Sequence, residues 1–178
     1  MAAGPASPRL PADAVERRLF VNAPPETVWR ALHGATADAA GAGPGSGPTR
    51  YALLSLDACV PPWPAAGSQR HGRIRLGPVR LPLEVESLEA RPARRFRLAL
   101  AGPIVHGEAR WEFVGASGGT RVACALHLVG ESRLGRTLLR FERGALGRRL
   151  EAELAALKRA AEADAGSDAG PDAGPASR

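Results

Sequence analysis

Five consecutive segments of alternating apolar and polar residues constrain the fold of this chain more than any other feature. Turns containing glycine or proline separate these segments, which cover residues 69–76, 79–88, 95–100, 105–114 and 120–129. A period of two residues predicts strands with one apolar face, and such short connections predict antiparallel neighbours. With further strands predicted at 15–22 and 51–58, the sequence predicts an α+β protein containing a seven-strand antiparallel sheet.

Two helices are predicted outside this sheet. The shorter follows Ala23-Pro24-Pro25-Glu26 and ends near Gly34, because proline is tolerated in the first helical turn. The longer runs from Ser132 to about Ala163 and contains no proline. Its apolar residues recur at helical spacing in two stripes that are displaced near Gly144 and Gly147, namely Leu134, Leu138, Phe141 and Ala145, then Leu146, Leu150, Leu154, Leu157 and Ala161. A sheet with one apolar face needs a cover, and we expect this helix to supply it.

The domain organisation follows from composition. The 178 residues suit one folded domain, predicted at 14–163. Residues 1–13 are rich in proline and alanine, and residues 164–178 form a low-complexity tail of Ala, Gly, Asp and Pro, so both are predicted to be disordered. No apolar run is long enough for a transmembrane segment, and the first residues lack the apolar core of a secretory signal, which predicts a cytoplasmic location.

The chain is basic, with 24 Lys+Arg against 18 Asp+Glu, and Lys158 is its only lysine. No aromatic residues are interleaved with the arginines, so we predict no nucleic-acid partner. Arginines recur along one side of the long helix at Arg133, Arg136, Arg140 and Arg143. This row is interpreted either as the solvated back of the helix or as a basic stripe that binds an anionic membrane surface.

No metal or cofactor site is predicted. Cys59 and Cys124 are distant in sequence and show no zinc-ligand spacing, so they are interpreted as buried thiols in a reducing compartment. A four-residue hairpin loop at 115–118 would place His106 opposite His127 and Trp111 opposite Val122. The same register would pair Glu112 with Arg121. Two imidazoles on an outer sheet face make a poor metal site.

The order of these elements, together with several short motifs, resembles a known family. The motifs are Phe20-Val21-Asn22-Ala23-Pro24-Pro25-Glu26-Thr27-Val28-Trp29, Gly67-Ser68, Arg91-Pro92-Ala93-Arg94-Arg95, Trp111-Glu112-Phe113 with Gly119-Thr120-Arg121-Val122, and Leu154 to Glu162. The chain resembles the START-like, or SRPBCC, superfamily in its polyketide cyclase/dehydrase branch. The resemblance implies a helix-grip fold, in which a curved seven-strand sheet wraps around the long C-terminal helix and leaves a cavity for a hydrophobic ligand. One departure is the Gly/Pro-rich stretch 34–48, where most relatives have a second short helix.

Side-chain parity indicates which residues would line that cavity. The predicted lining consists of Leu83, Val85, Phe96, Leu98, Val105, Trp111, Phe113, Val122, Cys124, Leu126, Leu138 and Phe141. The candidate polar anchors are Arg17, Tyr51 and Glu142. A different outcome is that the aromatic side chains fill the space as an ordinary core.

No His, Asp or Glu falls on the predicted inward face of the strands, whereas general acid–base chemistry needs a titratable group beside the substrate. The sequence therefore favours binding or carrying a lipid- or polyketide-like molecule, and we assign no catalytic residue. The alternative is a cyclase/dehydratase-type enzyme that acts in the same cavity.

Overall fold

The computed structural model describes residues 14–34, 54–56 and 64–168, which form an antiparallel sheet and two helices. In chain order the elements are β1 (Val15–Val21), α1 (Pro25–Gly34), β2 (Leu54–Leu56), β3 (Gln69–Leu76), β4 (Val79–Arg91), β5 (Arg95–Ala101), β6 (Val105–Ala116), β7 (Gly119–Gly130) and α2 (Arg133–Asp168). The predicted disordered lead, the loop after α1, Tyr51, Cys59 and the end of the tail lie outside the described residues. Helix α2 continues to Asp168, beyond the predicted end at Ala163.

The sheet has the strand order β1-β7-β6-β5-β4-β3-β2, and every described pairing is antiparallel. Six strands of seven or more residues form its body, and the three-residue strand β2 lies at one edge. The sheet is open, with β1 at the other edge. One irregularity interrupts the β4–β5 pairing between Ser87 and Glu89.

The β6–β7 hairpin has a different register from the predicted one. Ala116 pairs with Gly119, so the loop contains only Ser117 and Gly118. Gly118 has a φ of 82°, which glycine adopts readily in tight hairpin turns. As a result Trp111 lies opposite Cys124 and His106 opposite Val129. The predicted pairing of His106 with His127 is therefore wrong.

The outer face of the sheet is charged. Arg97 makes two hydrogen bonds to Glu108, at 2.7 and 3.0 Å. Glu112, expected opposite Arg121, instead pairs with Ala123 in the register and forms ion pairs with Arg95 at 3.2 Å and with Arg110. The apolar face is consequently the one that meets the helices.

Helix α2 covers this apolar face. It contacts β1, β7 and α1, and it also reaches β3, where the Arg149 guanidinium donates a hydrogen bond to the Arg75 carbonyl at 2.6 Å. The second predicted stripe of α2 is buried as expected, and its members are Leu146, Leu150, Leu154, Leu157 and Ala161.

The first predicted stripe of α2 does not face the sheet. Leu134 is 60% exposed and Phe141 is 80% exposed, whereas Leu139 packs against the core. Leu139, Leu146 and Leu150 follow at intervals of seven and four residues, which is one continuous helical row. Leu134 and Phe141 therefore belong to a separate row on the opposite side, and the expectation that the first stripe helps to cover the sheet is wrong.

The start of α2 is held very close to the sheet. A Cβ atom on Gly135 would collide with the carbonyl oxygen of Ile104, and one on Gly130 would collide with the backbone nitrogen of Arg136. The Ser132 hydroxyl accepts a hydrogen bond from the Gly135 backbone nitrogen at 3.0 Å, as expected for a helix N-cap. The helix thus begins in direct backbone contact with the segment that precedes β6.

Candidate functional site

An aromatic cluster lies on the apolar face of the sheet where α1 packs on it. The ring centroids of Phe96 and Trp111 are 5.5 Å apart, and both side chains are fully buried. Trp29 of α1 lies 5.8 Å from Phe113 and 5.9 Å from Phe96 in edge-to-face geometry. The spacing of these rings is that of a packed core, so the aromatic residues fill the space between α1 and this part of the sheet.

Most residues of the predicted cavity lining are core residues. Leu83, Val85, Phe96, Leu98, Val105, Trp111, Phe113, Val122, Cys124 and Leu126 all belong to the buried hydrophobic cluster. Leu138 is half-buried. Phe141 lies on the outer side of α2, and its prediction as a lining residue is wrong for the reason given above.

His33 introduces a titratable group into the aromatic cluster. Its ring lies 4.3 Å from Trp29 and 4.9 Å from Phe96, and both ring nitrogens are buried. Burial lowers the pKa of His33 to about 4, so the imidazole is neutral near pH 7. The strand pattern from which the site residues were predicted did not single out His33. Its four-residue spacing from Trp29 on one helix was the available signal.

Helix α2 brings a buried glutamate close to Cys124 of β7. Glu153 is among the few buried charged residues. Burial, and to a smaller extent the charge of Glu153, raise the pKa of the Cys124 thiol well above its usual range. Cys124 therefore remains protonated and is not an activated nucleophile.

The candidate polar anchors have different positions. Arg17 forms an ion pair with Glu151 at 2.6 Å where β1 meets α2, and both side chains are well exposed. Glu142 is half-buried beside the β3–β4 turn and pairs with Arg149 at 3.4 Å. Neither residue joins the aromatic cluster, and Tyr51 lies outside the described residues.

Three strand residues place polar groups on the inward face. Arg70 is buried and shares its strand face with Ile74, although the sequence pattern of β3 did not single it out. The Ser87 hydroxyl donates a hydrogen bond to the Pro64 carbonyl at 3.3 Å, and the Thr120 hydroxyl donates one to the Ala23 carbonyl at 2.7 Å. The two hydroxyls thus tie adjacent segments to the sheet.

A cleft of about 360 Å³ separates the first turns of α2 from the end of β7. Its apolar lining is Val15, Leu126, Leu128, Val129, Leu139 and Leu146. Gly130 and the arginines Arg136, Arg140 and Arg143 complete it. These three arginines are exposed, so they lie at the mouth of the cleft, while Leu126 and Leu146 are buried at its floor. Of the predicted cavity residues, Leu126 lines this cleft.

The described residues contain no group of three or more His, Cys, Asp or Glu side chains that could hold a metal ion. In the same part of the chain, neither helix is long and apolar enough to cross a membrane.

Solved structures with the same fold come from several bacteria. The Zhui aromatase/cyclase from Streptomyces sp. R1128 has a TM-score of 0.54 and 16% identity, over 90% of this chain and 98% of that chain. A protein from Thermus thermophilus has a TM-score of 0.57 and 21% identity, over 85% and 98% of the two chains. A protein of the dynemicin biosynthetic locus has a TM-score of 0.55 and 16% identity. The match covers 87% of this chain and 49% of the length of that protein.

Sequence comparison assigns the family. No curated protein matches the chain. The family model described as "Polyketide cyclase / dehydrase and lipid transport" matches residues 13–162, nearly all of the folded part. The chain therefore belongs to the polyketide cyclase/dehydrase and lipid transport family.

Proposed function

We propose that the protein binds a hydrophobic small molecule, lipid- or polyketide-like, in the cleft between α2 and β7. The observation that carries this proposal is the cleft itself. Its volume of about 360 Å³ is in the usual range for small-molecule sites, and its floor consists of aliphatic side chains. The family description, which covers both polyketide chemistry and lipid transport, supports a ligand of this class.

The arginines at the mouth favour a ligand that carries an acidic group. Arg136, Arg140 and Arg143 present three guanidinium groups beside an apolar floor. A guanidinium group pairs well with a carboxylate or another oxyanion. The arrangement suits an amphipathic molecule whose apolar part lies on Leu126 and Leu146 and whose acidic group lies among the arginines.

A cavity-filling variant tests this proposal. Leu139→Trp places a large ring in the cleft and should weaken binding of the anionic probe 1-anilinonaphthalene-8-sulfonate by about tenfold or more, because the overfilled site loses both space and apolar contacts. Leu134→Trp is the matched control, since it makes the same change on the exposed side of the same helix. A long-chain fatty acid should displace the probe from the wild-type protein.

Two outcomes would refute the proposal. One is equal probe binding by Leu139→Trp and the wild-type protein when circular dichroism shows that both are folded. The other is equal weakening of binding by Leu139→Trp and Leu134→Trp.

A second candidate function is catalysis of the cyclase/dehydratase kind, which His33 and Glu153 favour. His33 supplies a neutral imidazole and Glu153 a buried carboxyl group on the face of the sheet that the helices cover. Neither lines the cleft, so this function requires a ligand that enters the aromatic cluster, because general acid–base chemistry needs a titratable group beside the substrate. The candidate polar anchors Arg17 and Glu142 lie in ion pairs away from the aromatic cluster. If His33→Gln and Glu153→Gln abolish turnover of a poly-β-ketone substrate but leave probe binding intact, the enzyme is favoured. Unchanged turnover would exclude these two residues.

A further inference from the structure

The N-terminal half of α2, residues 133–149, exposes an apolar ridge. Leu134 is 60% exposed and Phe141 is 80% exposed, and they are seven residues apart, which is two helical turns. Leu138 lies one helical turn after Leu134, and Ala145 lies one turn after Phe141. Both are half-buried. Phe141 is the most exposed large apolar side chain in the described part of the protein.

The charge around this ridge is almost entirely positive. Residues 133–149 contain six arginines and one acidic residue, Glu142, which is paired with Arg149. Arg133 and Arg140 are exposed and lie one residue before Leu134 and Phe141, respectively. Arg148 is exposed two turns beyond Phe141. The ridge therefore has cationic side chains along its length and no unpaired carboxylate of its own half-helix beside it.

We propose that this half of α2 docks on a membrane surface that contains anionic lipids. Phe141 and Leu134 would enter the interface, and the arginines would pair with the head-group phosphates, as in amphipathic helices that lie in the plane of a bilayer. A lipid surface fits better than an acidic protein for two reasons. The ridge is convex rather than a groove, and an acidic partner would pair with the arginines without requiring an exposed aromatic side chain.

The ridge and the cleft lie on opposite sides of the same half-helix. Arg136, Arg140 and Arg143 lie in the docking half-helix and at the mouth of the cleft. Docking through Leu134 and Phe141 would leave the floor of the cleft on the side of α2 that faces away from the lipid. The docking proposal does not require the cleft to be occupied, because it is carried by the exposed residues of the ridge.

Sedimentation of the full chain with lipid vesicles tests the proposal. We expect binding to phosphatidylcholine vesicles that contain about 30% phosphatidylglycerol and little binding to phosphatidylcholine alone. Binding should fall when the salt concentration rises from about 0.05 to about 0.5 M, because exposed charges are screened over short distances at high salt.

Two pairs of variants separate the apolar and ionic contributions. Phe141→Ala should reduce binding to the anionic vesicles by about tenfold, whereas Val114→Ala, which removes a 59% exposed apolar side chain on the outer sheet face, should have no effect. The double variant Arg133→Gln/Arg148→Gln should reduce binding more than Arg94→Gln/Arg121→Gln. The second pair changes the net charge equally at exposed positions outside α2.

The proposal is overturned if wild type and Phe141→Ala bind anionic vesicles equally, or if phosphatidylcholine alone binds as well. It is also overturned if the protein binds soluble poly-L-glutamate but no vesicles, since that outcome would indicate an acidic protein partner. Probe binding to the cleft should be the same in Phe141→Ala and wild type. This measurement distinguishes failure of docking from failure of the proposed ligand site.

Discussion

The two halves of helix α2 differ in how closely they approach the sheet. From Leu150 to Ala161 the helix buries an unbroken apolar row against the sheet. Its side chains also hold the end of β1, where Lys158 donates a hydrogen bond to the Phe20 carbonyl and Glu162 accepts one from the Asn22 backbone nitrogen. After the backbone contact at Gly130 and Gly135, a cleft with arginines at its mouth lies between residues 136–146 of the helix and the end of β7.

This difference shows how one helix can combine stability with ligand binding. Buried aliphatic area stabilises the fold roughly in proportion to the surface removed from water, and α2 concentrates that area in its C-terminal half. The N-terminal half contributes less burial and is correspondingly free to carry arginines and an open cleft. Substitutions in the two halves should therefore affect different properties.

The largest difference is expected for leucine truncations. Leu154→Ala should lower the free energy of unfolding by about 2–5 kcal/mol, because Leu154 is 2% exposed and its truncation leaves a cavity. Leu134→Ala should change that free energy by less than about 0.5 kcal/mol, because Leu134 is mostly exposed. Urea denaturation measures both. Similar losses from the two variants would show that the halves are equally important for stability.

Acid should destabilise the fold through His33 on α1, which packs on α2 and the sheet. Burial lowers the pKa of His33 from 6.5 to about 4, so the unfolded chain binds the proton more readily than the folded one. The contribution of neutral His33 to the free energy of unfolding is complete above a pH of about 6.5. This free energy falls by about 3 kcal/mol in total as the pH falls toward about 4.

A histidine replacement isolates this contribution. His33→Phe should remove that part of the pH dependence, as seen by comparing unfolding free energies of variant and wild type across the same pH range. His71→Phe is the matched control, because it makes the same replacement at an exposed histidine on β3. Identical pH profiles for His33→Phe and wild type would contradict the assignment.

The smallest effect is expected where β1 meets α2 near the boundary between the two halves. Arg17 and Glu151 pair at 2.6 Å but are 39% and 58% exposed in their side chains. Exposed ion pairs contribute little, so a double-mutant cycle with Arg17→Gln and Glu151→Gln should give a coupling of about 0.2–1 kcal/mol. A coupling of several kcal/mol would mean that this contact, rather than the leucine row, attaches the helix to β1.

Strands and helices were predictable from the sequence where a local pattern specified them. The observed limits of β3 coincide with the predicted ones because alternating residues end at Gly77-Pro78. Helix α1 begins at Pro25, where the missing amide proton of proline costs nothing. The family resemblance was likewise correct, since the family model covers 13–162.

Registers and faces were less predictable, because they depend on small differences in geometry. The choice between a two- and a four-residue loop at 115–118 moved the whole β6–β7 register by two residues. Helix α2 has two apolar rows, either of which could pack on the sheet. The row that contains Leu139 is buried, and the row that contains Phe141 is exposed. Periodicity alone could not distinguish these rows, since each repeats at helical spacing.

The candidate site was the least predictable part. Strand parity identified the apolar core but could not locate His33 or Glu153, which come from helices. The cleft begins where α2 leaves its backbone contact at Gly130 and Gly135, and that contact depends on tertiary packing rather than on a local pattern.

Strand β1 carries a further consequence through its place at the boundary of the sheet. Its register is with β7, and no other described strand lies on its far side. An edge strand can pair with a strand of a neighbouring molecule, and charged residues along the edge strand discourage such pairing. Glu16, Arg17 and Arg18 supply those charges. Replacing all three with neutral residues should therefore favour pairing between copies of the chain through β1.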